Sequence, residues 1–351
     1  LTAVPALRTE VTEIVTGLAM LGYDNLDRAL ATRPSTIQGV RPEHFDRLVD
    51  ARRAGELPAE FETAWQTGRA FAMATDGLRG RPPWLVEWKG RHRAPGYEQL
   101  PADLRVDHVY LISCKYGSNI LLNASPAHLF DHRLGDKPAG RAPDWFETVA
   151  GKELQDLYAA CRPHVLAAEQ AAAAPGAAAR SGLPEQVSGL LAVHRNRVKA
   201  ALKGPWPGAA ADDYLWFAAV VSHESAERWR RGMRTATVRE EMLWRLLRLQ
   251  AAPYFVLGAG VDGTPLAFRV GTPWDFRNAF ELKNFDVWPE ALGQPMVRWR
   301  AEVWVRPGRT ARVVEGHIEI RWSHGRFAGA PEAKVYLDTP HHEVPGYFPL
   351  A

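Results

Sequence analysis

Residues 84–89, WLVEWK, and residues 108–115, HVYLISCK, are two short apolar runs that each end on a lysine. Both read as β-strands, the first set off by the turn formers Gly77, Gly80, Pro82 and Pro83. Side chains two apart on a strand share a face, so Glu87 and Lys89 stand together while Trp84, Val86 and Trp88 turn the other way. In the second run Ser113 and Lys115 have the same relation. An acid beside a lysine at the end of a buried strand suits chemistry on phosphate: carboxylates hold a hard cation, and a lysine orients water or meets developing negative charge.

Working outward, the residues before this region have helical periodicity, with Val11, Ile14, Val15, Leu18 and Leu21, then Phe45 and Leu48, then Phe61, Ala64 and Trp65. Ser125 followed by Pro126 predicts an N-cap and a first helical turn through Leu129 and Phe130. The alanine-rich run from Leu166 to Pro184, with Pro175, Gly176 and Gly182, reads as a linker. Helices are predicted from Pro184 to Leu202, Asp212 to Arg231 and Val238 to Gln250. Beyond Pro253 the pattern becomes β-rich, with alternation at residues 297–303 and 314–320 around a Pro307-Gly308 turn describing a hairpin. The expected class is α+β: a helical N-terminal region with a restriction-endonuclease-like mixed sheet (1–165), a linker (166–184), a helical region (185–252) and a β-rich module (253–351).

The chain has 351 residues, 46% of them hydrophobic and 24% charged, which suits a globular protein of two or three domains. It holds no run of about 18 apolar residues able to span a bilayer and opens on no signal-like segment, so the expectation is a cytoplasmic protein without membrane contact. Two cysteines, Cys114 and Cys161, build neither a disulfide framework nor a cysteine zinc cluster. A net charge of +3 with a pI near 8.9 permits a polyanionic partner without requiring one.

Other motifs have plain readings. Residues 258–263, GAGVDG, match a dinucleotide fingerprint, but residues 264–270 read as another strand where a helix N-terminus is needed, so a hairpin loop is expected. His223-Glu224-Ser225-Ala226-Glu227 lacks the second histidine of a helical zinc site, and Arg228 and Arg230 make it a solvated helix face. His341-His342 reads as a surface pair, and His194-Arg195-Asn196 is too short to mean more.

Glu87-x-Lys89 at the end of an apolar strand, with Asp76 eleven residues upstream, resembles the signature of the PD-(D/E)xK nuclease superfamily, which includes restriction endonucleases. Thr75 stands where that motif has proline. Ser113-Cys114-Lys115 resembles the variant in which serine replaces the acid and a downstream carboxylate, for which Asp131 is the candidate, compensates. The resemblance implies Mg2+, with Mn2+ as a substitute, held by Asp76, Glu87 and Asp107, and Glu87, Lys89 and Lys115 as the catalytic residues. It further implies an upstream helical acid, for which Glu62 is the candidate.

Eight residues of strand put Asp107 and Lys115 about 26 Å apart. If the two strands are antiparallel neighbours, one end gathers Glu87, Lys89 and Asp107, the favoured cluster, and the other gathers Asp76, Lys115 and Asp131. Arg79, Arg81, Arg91, His92 and Arg93 are candidate phosphate contacts; Arg298, Arg300, Glu302, Trp304 and Arg306 share one strand face, followed by residues 321–327, and the arginines and tryptophans there suit phosphate contact and base stacking. A ladder pairing those arginines with Glu315 and Glu319 explains the second set equally. The expected function is metal-dependent cleavage of DNA, in a restriction or defence role, with RNA and a homodimer allowed. The alternatives are nucleic-acid binding without catalysis and a protein-interaction scaffold.

Overall fold

The structure is a computed structural model that describes residues 4–90, 102–131, 134, 144–172, 182–208 and 210–351. The helical opening comprises α1 (Val4–Ala19), α2 (Leu26–Thr32), α3 (Pro42–Arg53) and α4 (Pro58–Met73), with the two-residue β1 (Ile37–Gln38) between α2 and α3. The predicted apolar stripe is what α1 buries: Val11, Ile14, Val15 and Leu18 are fully covered, each contributing about 1.5–3 kcal/mol relative to exposure. Helices α1 and α4 pack closely because Gly68 has no side chain; a Cβ there would lie 2.3 Å from the Thr16 carbonyl.

Four strands follow: β2 (Val86–Trp88), β3 (Leu104–Val106), β4 (Tyr110–Tyr116) and β5 (Ile120–Ala124). Next come α5 (Pro126–Phe130), capped as predicted by Ser125, and then α6 (Trp145–Ala172), α7 (Ala192–Ala201), α8 (Ala210–Gly232) and α9 (Ala236–Leu246). The first part of the expected linker, Leu166 to Ala172, instead continues α6. Alanine is the best helix former, so an alanine run prolongs a helix until proline stops it. Residues 173–181 of that linker lie outside the described residues. The C-terminal third holds β6 (Tyr254–Ala259), β7 (Pro265–Val270), α10 (Pro273–Ala279), β8 (Phe280–Ala291), β9 (Pro295–Val305), β10 (Thr310–Trp322), β11 (Pro331–Leu337) and β12 (Tyr347–Pro349).

Two sheets result, and the class is α+β. A mixed sheet runs β1-β2-β3-β4-β6-β7-β12 and an antiparallel sheet runs β5-β11-β10-β9-β8. Strands β2, β3 and β4 form an antiparallel meander, β6 lies parallel to β4, and β6–β7 is the hairpin expected around residues 258–263. Strands read from sequence as C-terminal thus complete the sheet begun at Val86, while β5 pairs with β11 in the other sheet. One face of the mixed sheet packs on α1 and α4 through Ile112 and Cys114; the other joins the larger core through Leu111, Val256 and Phe268. Helix α8 packs on β8 and β9, where the alternation of β9 buries Val297, Trp299, Ala301 and Val303.

The decisive departure from the sequence reading is β3. It lies between β2 and β4, so the two strands are not antiparallel neighbours; both oppose β3 and therefore run parallel to each other. Their carboxyl ends, carrying Lys89 and Lys115, point the same way. Lys89 and Lys115 therefore fall at one end of the meander and Asp107 at the other, so neither predicted charge cluster forms as expected.

Candidate active site at the carboxyl ends of β2 and β4

The Lys89 N–H donates to the Asp103 carbonyl at 3.0 Å and the Asp103 N–H to the Ile112 carbonyl at 2.7 Å. With Trp88 opposite Leu104 and Leu104 opposite Ile112, the next row across the meander is Lys89, Asp103 and Ser113. Residues opposite one another project to one side, and Lys115, two beyond Ser113, joins them. Strand β3 begins at Leu104, so the Cys114 N–H lies past the end of its ladder. Asp103 supplies the missing acceptor: its Oδ2 takes the Cys114 N–H at 2.7 Å, with the Ser113 hydroxyl at 3.4 Å. Ser113 is buried, at 3% exposure. The Lys115 ammonium reaches the Ile120 carbonyl at 3.4 Å. One sheet end thus carries a carboxylate, a hydroxyl and the Lys115 ammonium on one face, with Lys89 in the same row by register.

On the opposite face, the Trp88 indole N–H donates to Glu13 of α1 at 2.6 Å. Tyr116 hydrogen-bonds Thr16 and Thr67, and burial pushes its phenol well above the ordinary tyrosine value. Burial, then Asp103 and Glu13, push the Cys114 thiol well up, so it stays protonated and is no nucleophile.

In the next row of the meander, and at its other end, the predicted acids Glu87 and Asp107 have structural partners. Arg105 holds Glu87 through Nε and Nη2 of its guanidinium, and His108 Nδ1 lies 3.2 Å from it. The Arg105 hydrogen bonds, together with the charges of Arg105 and His108, outweigh burial and lower the Glu87 carboxyl. Asp107, at φ 49, closes the β3–β4 turn. Its carboxylate accepts the Trp84 and Leu85 N–H groups at 2.6 and 3.0 Å and the Arg81 guanidinium at 2.6 Å. Burial raises that carboxyl, but Arg81 and the two backbone donors lower it further.

The remaining candidates are dispersed. Asp76 is exposed in the turn after α4. Asp131 pairs with Arg228 at 3.2 Å, and exposed Glu62 accepts from Gln66 on its own helix. Arg79 donates to the Thr75 carbonyl. Arg91, His92 and Arg93 lie outside the described residues. Among the described residues no three His, Cys, Asp or Glu side chains are grouped to hold a metal. His223 contacts Glu224 and Glu227 pairs with Arg230, as a solvated helix face does. The pair His341-His342 splits: His342 is exposed, whereas His341 is half-buried, its ring stacked on Phe268 at 5.5 Å. Phe268 and Tyr347 offer apolar surface that covers the ring.

On the outer face of the second sheet the arginines are paired: Arg298 with Glu290 and Asp338, Arg300 with Glu315, Arg306 with Glu281, Arg321 with Glu332. The Lys283 ammonium sits 4.1 Å from the Trp304 ring. Of the two acids expected in the ladder, Glu315 pairs with Arg300, whereas Glu319 accepts the Tyr336 hydroxyl and other acids offset the remaining arginines.

Asp103 and Glu13 were not among the residues singled out from sequence. The signal for Asp103 is its place ten residues before Ser113, the relation of acid to hydroxyl-x-lysine sought instead between Asp76 and Glu87. Among the described residues no helix is long and apolar enough to cross a membrane. No protein-family model matches this chain, and no curated protein or solved structure matches it either.

Proposed function

We propose that this protein is a metal-dependent phosphodiesterase that cleaves DNA, using the sheet end formed by Lys89, Asp103, Ser113 and Lys115. The observation that carries the reading is the Asp103 carboxylate bonded across the β3–β4 opening to Ser113 and Cys114, with Lys115 on the same face. In this form the PD-(D/E)xK resemblance rests on Asp103 and Ser113-x-Lys115, and Glu87 and Asp107 act as turn and strand supports. The location agrees with the tendency of ligands to bind at the carboxyl ends of parallel strands, here β4 and β6.

Asp103 and Ser113 offer oxygen donors alone, which suits Mg2+ or Mn2+, cations that keep several waters and take remaining ligands from substrate phosphate. Those two residues would hold the metal, and its chemistry when bound is to polarise the phosphate and lower the pKa of water. The Lys115 and Lys89 ammonium groups offset negative charge that builds on the phosphate oxygens as water adds to phosphorus. A DNA substrate and two free cysteines agree with a reducing, intracellular location.

Incubating the protein with plasmid, linear DNA and RNA in Mg2+, Mn2+ or EDTA tests the proposal. Cleavage of DNA that requires either cation supports it; cleavage of RNA alone changes the substrate class. Salt-sensitive binding without cleavage in either metal contradicts the catalytic reading.

A further inference from the structure

We propose that His341 belongs to this same site and accepts the proton of the attacking water, an assignment that rests on the phosphodiesterase reading above. The strand register carries the argument. Ser113, Val256 and Phe268 form one row across β4, β6 and β7, and Lys115, Gly258 and Leu266 form the next. The His341 ring lies on Phe268 with its plane tilted 28° from it, and Tyr347 flanks it at 6.3 Å. It therefore lies over β7 on the face of the mixed sheet that bears Ser113 and Lys115, with β6 between it and β4. No side chain rises from β6 beside Lys115: a Cβ on Gly258, whose φ is +146, would come 1.7 Å from the Lys115 carbonyl.

The charged groups around the imidazole come from three elements: Lys115 on β4, Asp262 in the β6–β7 loop, and His342 beside it in its own turn. Burial first, then Lys115, hold His341 below the ordinary histidine value against the opposing pull of Asp262. A neutral imidazole at pH 7 can take a proton. In the step, one water O–H bond breaks and its proton moves to a ring nitrogen. The hydroxide oxygen bonds to phosphorus, the bond from phosphorus to the leaving ester oxygen breaks, and that oxygen takes a proton from solvent. His341 returns its proton to solvent.

Two readouts test this. In the first, the His341 ring is titrated by NMR in the wild type, Lys115→Met and Asp262→Asn. Its midpoint is expected to rise when Lys115 is lost and to fall when Asp262 is lost; a midpoint indifferent to Lys115 overturns the inference without touching the nuclease reading. In the second, the pH dependence of DNA cleavage is compared in the wild type, His341→Ala and His341→Phe, the last keeping an aromatic ring on Phe268. Wild-type kcat should rise with pH through the His341 midpoint and then level. Both variants should lose about 100-fold or more, and added imidazole should restore activity to the alanine variant. Full activity with an unchanged pH profile in the variants overturns the inference alone. A wild type without phosphodiesterase activity overturns the proton-transfer role together with the reading it rests on, leaving the NMR titration to decide whether His341 and Lys115 face each other.

Discussion

Replacing Asp107 separates a structural carboxylate from a metal ligand. In Asp107→Ala the Trp84 and Leu85 amides lose an acceptor at 2.6 and 3.0 Å. A hydrogen bond to a charged group is worth about 1.5–3 kcal/mol, with the lower end fitting the exposed Trp84 amide. The Arg81 contact adds less than about 1 kcal/mol, because that side chain is 55% exposed. Alanine at φ 49 adds about 1 kcal/mol of backbone strain. The sum is about 4–6.5 kcal/mol lost in Asp107→Ala. Asp107→Asn keeps an acceptor oxygen and tolerates the left-handed backbone, so its cost is about 1 kcal/mol. Urea unfolding measures both. The carboxyl is lower in the folded chain than its ordinary 3.8, so it contributes stability above that value and loses it as pH falls through the folded pKa; Asp107→Asn lacks this acid-side loss. An asparagine variant of near-normal stability that no longer cleaves DNA with Mg2+ would refute the reasoning and restore Asp107 as a metal ligand.

Gly258→Ala forces a Cβ to within 1.7 Å of the Lys115 carbonyl at a φ of +146, and thermal unfolding should report a loss of at least about 3 kcal/mol; near-normal stability would mean β6 approaches β4 less closely. On the second sheet, Arg298→Ala with Arg300→Ala breaks exposed ladder pairs and should change stability by less than about 1 kcal/mol and DNA affinity by less than about twofold. Anisotropy titration at two salt concentrations measures the affinity, and a tenfold weakening would make that face a DNA contact after all.

Periodicity made the long elements legible. The stripe from Val11 to Leu18, the Ser125 cap and the alternation from Val297 to Val303 each became the element expected, because each buries enough surface for burial to set the pattern. Strand β3 has three residues, Leu104, Arg105 and Val106, too few for alternation to show. Missing it reversed the relation of β2 to β4 and put Glu87 with Lys89 and Asp107 instead of Lys89 with Lys115. Asp103 was hidden for the same reason: its role depends on where β3 ends relative to β4. His341 was read as a surface residue because the stack on Phe268 joins residues more than seventy positions apart, beyond any local pattern.

The most direct test of the account compares DNA cleavage in Mg2+ by Asp103→Asn, Lys115→Met and Glu87→Gln. Asp103→Asn and Lys115→Met should each lose about 100-fold or more in kcat while remaining folded, and Glu87→Gln, which loses only its pairing with Arg105 and His108, should keep cleaving. Full activity in Asp103→Asn, with activity abolished in a folded Glu87→Gln, would contradict the account and move the chemistry to the Glu87 row of the meander.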